Sequence, residues 1–149
     1  MTKDYKDMKQ LDFHGFSSQA SDHARQPRNK GVLPAYNAEG QITGPCGDTM
    51  AFWLEVKDGI VKNASFYTTG CGSSHACGSM ATCLVRGKAI EVAARLSQQD
   101  ILTALGGLSP EFEHCALLAA NTMKAACENH LKNDGKNYSR TEATAKNRH

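Results

Sequence analysis

Residues 49 to 69 constrain the fold more tightly than any other stretch of this chain. From Thr49 to Lys57, Met50, Phe52, Leu54 and Val56 alternate with Ala51, Trp53, Glu55 and Lys57. A period of two marks a strand that buries one face. Asp58-Gly59 follows, a strong hairpin signal. A two-residue turn would set Phe52 opposite Ser65 and Leu54 opposite Asn63. A three-residue loop, Lys57-Asp58-Gly59 with Gly59 left-handed, instead pairs Val56 with Ile60, Phe52 with Ala64 and Met50 with Phe66, and tolerates Lys62 opposite Leu54. Register follows the buried face, so the three-residue loop is expected. Either way Asp48 and Cys71 lie at the same end of the sheet, which makes Cys46 and Cys71 neighbours in space.

The hairpin runs into Tyr67-Thr68-Thr69-Gly70-Cys71-Gly72-Ser73-Ser74-His75-Ala76-Cys77-Gly78, where a strand pattern gives way to a helical one. Glycines beside Cys71 let the backbone turn sharply and bring other chain close to the thiol. At a helix N-terminus, unpaired N–H groups and the dipole favour thiolate over thiol. Two further cysteines stand at comparable places: Cys46 in Gly44-Pro45-Cys46-Gly47-Asp48, and Cys115 in Glu113-His114-Cys115, in the first turn of the final helix. Singly, each could be an ordinary small buried residue. Together they offer three sulfurs with an oxygen or nitrogen donor adjacent, which suits tetrahedral zinc or one iron of a [2Fe–2S] cluster.

The chain's 149 residues suffice for one domain with a real core. A net charge of +2, with the charges scattered, argues against a nucleic-acid or membrane surface. No apolar run reaches membrane-spanning length, and Met1 to Asp12 alternates lysine with aspartate instead of carrying a secretory signal. A cytoplasmic location is expected, where thiols stay reduced, so the six cysteines read as metal or sulfur chemistry ahead of disulfides.

Residues 1–16 read as a mobile lead-in, 17–132 as the domain and 133–149 as a polar, disordered tail. A short helix is expected over Ser17–Gln26, stopped by Pro27, and an edge strand at Gln41-Ile42-Thr43. Ser73–Val85 is expected as a helix with Ala76, Met80 and Leu84 inward; Ala89–Leu96 and Asp100–Leu105 as two more. Ser109 should cap the long final helix, with Pro110 at its first position. That helix runs to about Leu131, with Phe112, Ala116, Ala119, Met123, Ala126 and His130 along one stripe. Cys77, Cys83 and Cys127 are expected in the core. His14, His23, His130 and His149 read as structural or exposed. His75, one turn beyond Cys71, or Cys77 could offer alternative ligation or a sulfur relay. The fold class is α+β, a small antiparallel sheet of about three strands with helices on one face.

GPCGD, then TTGCGSS, then EHC, with a DG hairpin between the first two, resembles the IscU-type scaffold family, also found as the N-terminal domain of NifU. Asp22-His23 with Pro27-Arg28-Asn29, Arg86-Gly87-Lys88 and the alanine-rich final helix match as well. The likeness covers roughly Ser21 to Lys132, about three quarters of the chain. It implies the same α+β fold and a scaffold on which a transient [2Fe–2S] cluster is built from iron and the persulfide sulfur of a cysteine desulfurase, then passed to acceptor apoproteins. A ferredoxin-type electron donor is compatible with that chemistry. By motif, the implied ligands are Cys46, Asp48, Cys71, His114 and Cys115, and the implied persulfide acceptor is Cys115. Two departures bear on partners. Leu108-Ser109-Pro110-Glu111-Phe112 stands where the family carries LPPVK, which argues against dependence on a specialised Hsp70/J-protein pair. No long insertion separates Cys71 from Cys115, unlike the zinc-dependent SufU-type branch. The rival readings are a zinc-bound sulfur relay for a desulfurase and a plain zinc-stabilised interaction module. Zinc in a purified sample would not separate them, since it occupies the same thiolates as a surrogate for iron.

Overall fold

A computed structural model describes the backbone over residues 17–144 and the side chains over residues 17–132. The expected lead-in over residues 1–16, His14 and His149 lie outside these described residues. Helix α1 (Ser18–Arg25) opens on Ser17, whose hydroxyl accepts from the Ala20 N–H at 3.0 Å. It stops where Gln26, ahead of Pro27, leaves the helical region. Strands β1 (Ala38–Thr43), β2 (Thr49–Lys57) and β3 (Ile60–Thr68) form one antiparallel sheet in the order β1-β2-β3. Helix α2 (Gly72–Val85) packs on β3, and the single turn α3 (Ile90–Ala93) and α4 (Gln98–Ala104) follow it. A 3-10 turn (Pro110–Phe112) leads into α5 (Glu113–Thr144), which lies across β1 and β2. This is the α+β architecture expected, with helices covering one face of a three-stranded sheet.

The hairpin corrects the expected register. Asp58 and Gly59 both have positive φ, 55° and 77°, and Lys57 pairs with Ile60, so the connection is a two-residue turn. Val56 faces Val61, but a bulge then slips the ladder, and Leu54 faces Ala64, Phe52 faces Phe66 and Met50 faces Thr68. Val61 and Ala64 are both buried, yet three residues apart they cannot share one face of a regular strand. The bulge absorbs Lys62 as the extra residue and leaves it exposed. Strand β1 also begins three residues earlier than the edge strand expected, because Ala38, Glu39 and Gly40 pair with Leu54, Trp53 and Phe52.

Helix α2 sits in the middle of the layers, which explains two further corrections. It touches β3, α1 and α5, so its buried residues run round most of its circumference, and Met80 and Leu84 are only half covered. They are small (Ser73, Ser74, Ala76, Cys77, Gly78, Ser79, Ala81), and Gly78 lies against the Phe66 ring, where a side chain would collide with it. Cys77 and Cys127 are core residues as expected, whereas Cys83 is exposed, turned off the packed arc.

The remaining helices differ mainly at their ends. Helix α4 starts earlier than expected because Ser97 and Asp100 form a reciprocal capping box. Ser109 makes no side-chain cap; it is extended before Pro110, and a 3-10 turn intervenes before α5. Ala89–Leu96 yields only one helical turn. Helix α5 continues through Thr144, past the expected end near Leu131 and into the stretch expected as a disordered tail.

The connector after α1 is fastened by side chains. Ser79 Oγ accepts the Arg28 N–H at 2.8 Å and lies 2.6 Å from His23 Nδ1. Burial lowers the His23 pKa below its ordinary 6.5, the Arg28 charge adds to this, and Asp22 opposes it. A base whose folded pKa is depressed contributes stability above its unfolded pKa and loses it as pH falls through the folded value. The melting temperature should therefore decline on acidification below about 6.5. In His23→Asn, whose amide can donate to Ser79 or accept from it, that slope should flatten; an unchanged slope by calorimetry would remove His23 as its origin.

Candidate metal centre

Two of the three cysteine segments, those of Cys46 and Cys71, are held at one end of the sheet by a set of threonine bonds. Thr69 N–H donates to the Thr49 carbonyl at 3.1 Å, the Thr68 hydroxyl donates to the same carbonyl at 2.8 Å, and Thr49 N–H donates to Thr69 Oγ1 at 3.0 Å. Thr68 Oγ1 also accepts from Gly70 N–H at 3.1 Å. The end of β3 is thus fixed to the start of β2, and Gly70 lies beside Asp48. A Cβ at Gly70 would stand 2.9 Å from Asp48 Oδ2 and would collide with the Ser74 hydroxyl.

Cys71 is the N-cap of α2, extended in backbone and exposed in side chain. Burial pushes its thiol pKa up, but the Ser73 hydroxyl and the backbone N–H groups of Ser73 and Ser74 outweigh this, and the net shift is downward. Cys115 is 2 % exposed. Burial pushes its thiol up beyond what the Ser73 and Ser74 hydroxyls recover, and the nearby Cys71 and Cys46 add to the rise. The expectation that its place in a helix's first turn favours a thiolate is therefore corrected: desolvation wins over the dipole.

Ser73 Oγ lies 3.3 Å from the Cys71 sulfur and 3.1 Å from the Cys115 sulfur, and Ser74 Oγ donates to the Cys115 sulfur at 3.5 Å. One hydroxyl carries one proton, so the two serines together can supply each thiolate with one donor. Cys46 is exposed at the tip of the β1–β2 connection, which is closed by Gly44 N–H to the Asp48 carbonyl at 2.8 Å and opened by Gly47 at φ 94°. Its sulfur is 3.7 Å from Asp48 Oδ2. His114, exposed, has Nε2 3.7 Å from the Cys115 sulfur. Cys46 and His114 also line one apolar cleft of about 360 Å³, with Leu117 and Leu118.

The five residues singled out thus fall into two close groups. Cys71, Cys115 and His114 are joined through Ser73 and direct contact, and Cys46 and Asp48 form a pair on the neighbouring loop. Among the described residues no three of the histidines, cysteines and carboxylates already surround a common ion position. The donor chemistry, soft sulfurs with one hard oxygen and one imidazole, fits iron or zinc. Ser73 and Ser74 were present in the cysteine motif but carried no assignment, since nothing in sequence separates a hydroxyl aimed at sulfur from one that caps a helix. Cys77 lies wholly buried, its thiol raised well above the ordinary value by burial and then by Cys115 and Cys71.

The NifU-like N terminal domain model matches residues 16–137 of this chain. The chain belongs to the NifU-like N-terminal family. It is 39 % identical over 124 residues to the "Iron-sulfur cluster assembly scaffold protein IscU" of Aquifex aeolicus, covering 81 % of this chain and 79 % of that one. To the Haemophilus influenzae protein of the same description it is 36 % identical over 125 residues, covering 80 % and 98 %. Among solved structures, the N-terminal NifU-like protein of Brucella abortus superposes with a TM-score of 0.61 at 18 % identity, over 78 % of this chain and 94 % of that one, a likeness of fold. In NifU-like terms, the TTGCGSS segment is the strand-to-helix junction at β3 and α2, and GPCGD is the loop that Thr68 and Thr69 tie to it.

Proposed function

We propose that this chain is a scaffold on which a transient [2Fe–2S] cluster is assembled and then handed to acceptor apoproteins, with Cys46, Asp48, Cys71, His114 and Cys115 as the site. The observation that carries this is the Ser73 hydroxyl standing between two cysteine sulfurs, at the end of the sheet where the Cys46–Asp48 loop also lies. The family resemblance and the descriptions of its relatives support the same reading.

Cys71 is the thiol a desulfurase can reach: it is exposed and its pKa is lowered, whereas Cys115 is covered. Its thiolate attacks the outer sulfur of the donor's persulfide, the donor's S–S bond breaks, and the donor leaves as a thiolate. Each sulfane sulfur then needs two electrons to become sulfide, which gives a ferredoxin-type donor its place. Cys115 accepts sulfur only once the site opens. Asp48, a hard oxygen among soft ligands, holds the cluster less firmly and favours release. The departure of Leu108-Ser109-Pro110-Glu111-Phe112 from the LPPVK pattern supports a scaffold that does not depend on a specialised Hsp70/J-protein pair. A reducing, cytoplasmic setting keeps these thiols available.

Anaerobic incubation with ferrous iron, cysteine, a desulfurase and dithiothreitol as the electron source should develop [2Fe–2S] absorption, and the cluster should pass to an apo-ferredoxin. Labelled sulfur taken up without a cluster would instead mark the zinc-bound relay, and neither event would mark a structural module.

A further inference from the structure

Cys71 and Cys115 stand in opposite surroundings at short range. The Cys71 side chain is exposed, whereas Cys115 is buried beneath α2, with the buried Ser73 and Ser74 against its sulfur. Ser73 Oγ is in contact with both sulfurs, at 3.3 and 3.1 Å, and these two distances together hold the sulfurs within 6.4 Å of each other. A sulfane sulfur extends a cysteine by one S–S bond of about 2.05 Å, and a thiolate attacks it in line from about 3.5 Å. The two cysteine sulfurs are then about 5.5 Å apart, inside the limit that Ser73 sets. No strand or helix has to move. The Ser73 hydroxyl leaves the gap by rotation about one side-chain bond, and this is the opening that Cys115 requires.

We propose that Cys71 is an entry port and Cys115 a store: a sulfane sulfur taken up on Cys71 is passed to Cys115 within the same chain. This rests on the reading of Cys71 as the thiol that a persulfide donor loads. In the step, the Cys115 thiolate attacks the outer sulfur of the Cys71 persulfide. A new S–S bond forms to Cys115, the old one breaks, and its electron pair stays on Cys71 as a thiolate. The proton that Cys115 gives up is matched by the one Cys71 then takes, so nothing is oxidised or reduced and no co-reactant is needed. The surroundings set the direction. The Ser74 hydroxyl donates to the attacking sulfur at 3.5 Å, and the N–H groups of Ser73 and Ser74 face the departing one, where negative charge develops. A persulfide left on the surface is open to any thiol in solution, and one beneath α2 is not. Cys71, once emptied, can accept the second sulfur that a [2Fe–2S] cluster takes.

Glutathione persulfide with an isotopically heavy outer sulfur is the probe, applied anaerobically to the metal-free protein and then removed. Timed alkylation and peptide mass spectrometry locate the heavy sulfur. In the parent protein it should appear first on Cys71 and then move to Cys115 with no change in the total. In Cys115→Ser it should stay on Cys71, where fresh glutathione strips it about tenfold faster than it strips the migrated sulfur of the parent. In Cys71→Ser the loading of Cys115 should slow about tenfold or more. The order of appearance in the parent needs no variant, so the test stands even if a substitution impairs folding. Sulfur that remains on Cys71, that reaches Cys77 in place of Cys115, or that loads Cys115 at the parent rate in Cys71→Ser overturns the relay. No sulfur on Cys71 at any time overturns the entry port and the relay together. Neither iron nor a desulfurase is present, so migration in a protein that assembles no cluster overturns the scaffold reading alone. Cluster assembly without migration overturns the relay alone.

Discussion

Gly40→Ala is expected to destabilise the fold by about 3 kcal/mol, the upper part of the range for forcing one methyl into a packed interior. Gly40 lies on β1 opposite Phe52, and a Cβ there would stand 2.5 Å from the Ala126 nitrogen, 2.9 Å from its Cα and 3.1 Å from the Ala125 carbonyl carbon. These are backbone atoms of α5, so no rotamer change relieves the contact; the helix itself must rise off the sheet. Domains of this size are stable by only about 5–15 kcal/mol, so the loss should appear as a lower urea midpoint or as failure to accumulate folded protein. Gly47→Ala makes the contrast. It has open space on every side but a φ of 94°, so its cost is conformational and about 1 kcal/mol. If the two variants melt together, close packing of α5 on β1 is not what limits position 40.

Asp48→Ala should lengthen the lifetime of a reconstituted cluster roughly tenfold, at the lower end of what changes around a metal site produce. The Asp48 carbonyl carries the turn through its bond to Gly44 N–H, whereas its carboxylate reaches the Cys46 sulfur only at 3.7 Å. Removing the carboxylate therefore leaves the loop closed and takes away the one hard oxygen among the donors. Of the proposed donors, three cysteine sulfurs and an imidazole would remain, a softer set that iron sulfide should leave more slowly. The measurement is the decay of visible absorption in the presence of excess apo-ferredoxin. Release as fast as in the parent protein, or faster, would remove Asp48 from the role given to it.

Much of this arrangement was legible before any coordinates. The alternation from Met50 to Val56 fixed which face of β2 is buried, and Met50, Phe52 and Leu54 are fully covered. Asp58-Gly59 marked the hairpin, and the hairpin in turn brought the Cys46 and Cys71 segments to one end of the sheet. The bulge was not legible, because it answers to Val61 and Ala64 competing for one face, a conflict visible only once the strand partners are known. The exposure of Cys83 and the burial around most of α2 depend on how many elements surround a helix, which periodicity does not encode. The same reason hid the character of Cys115. Its position in a helix's first turn was correctly inferred, but its desolvation comes from α2 packed against it. Arg25 and Lys30 line one cleft with Cys71 because the connector after α1 joins the edge of β3 through backbone bonds, which side-chain patterns do not announce.

The close seat of Gly40 on α5 has a mechanical corollary. With backbone resting on backbone, the helix layer has no slack to shear over the strands, so the pole that carries the sulfurs does not widen by sliding. The short tip from Gly44 to Asp48 is held by its own two backbone bonds, Gly44 N–H to the Asp48 carbonyl and Gly47 N–H to the Gly44 carbonyl, and a side chain at Gly47 would meet nothing within 4 Å. Any rearrangement at that pole therefore falls to the loop and not to the packing of the helix on the sheet.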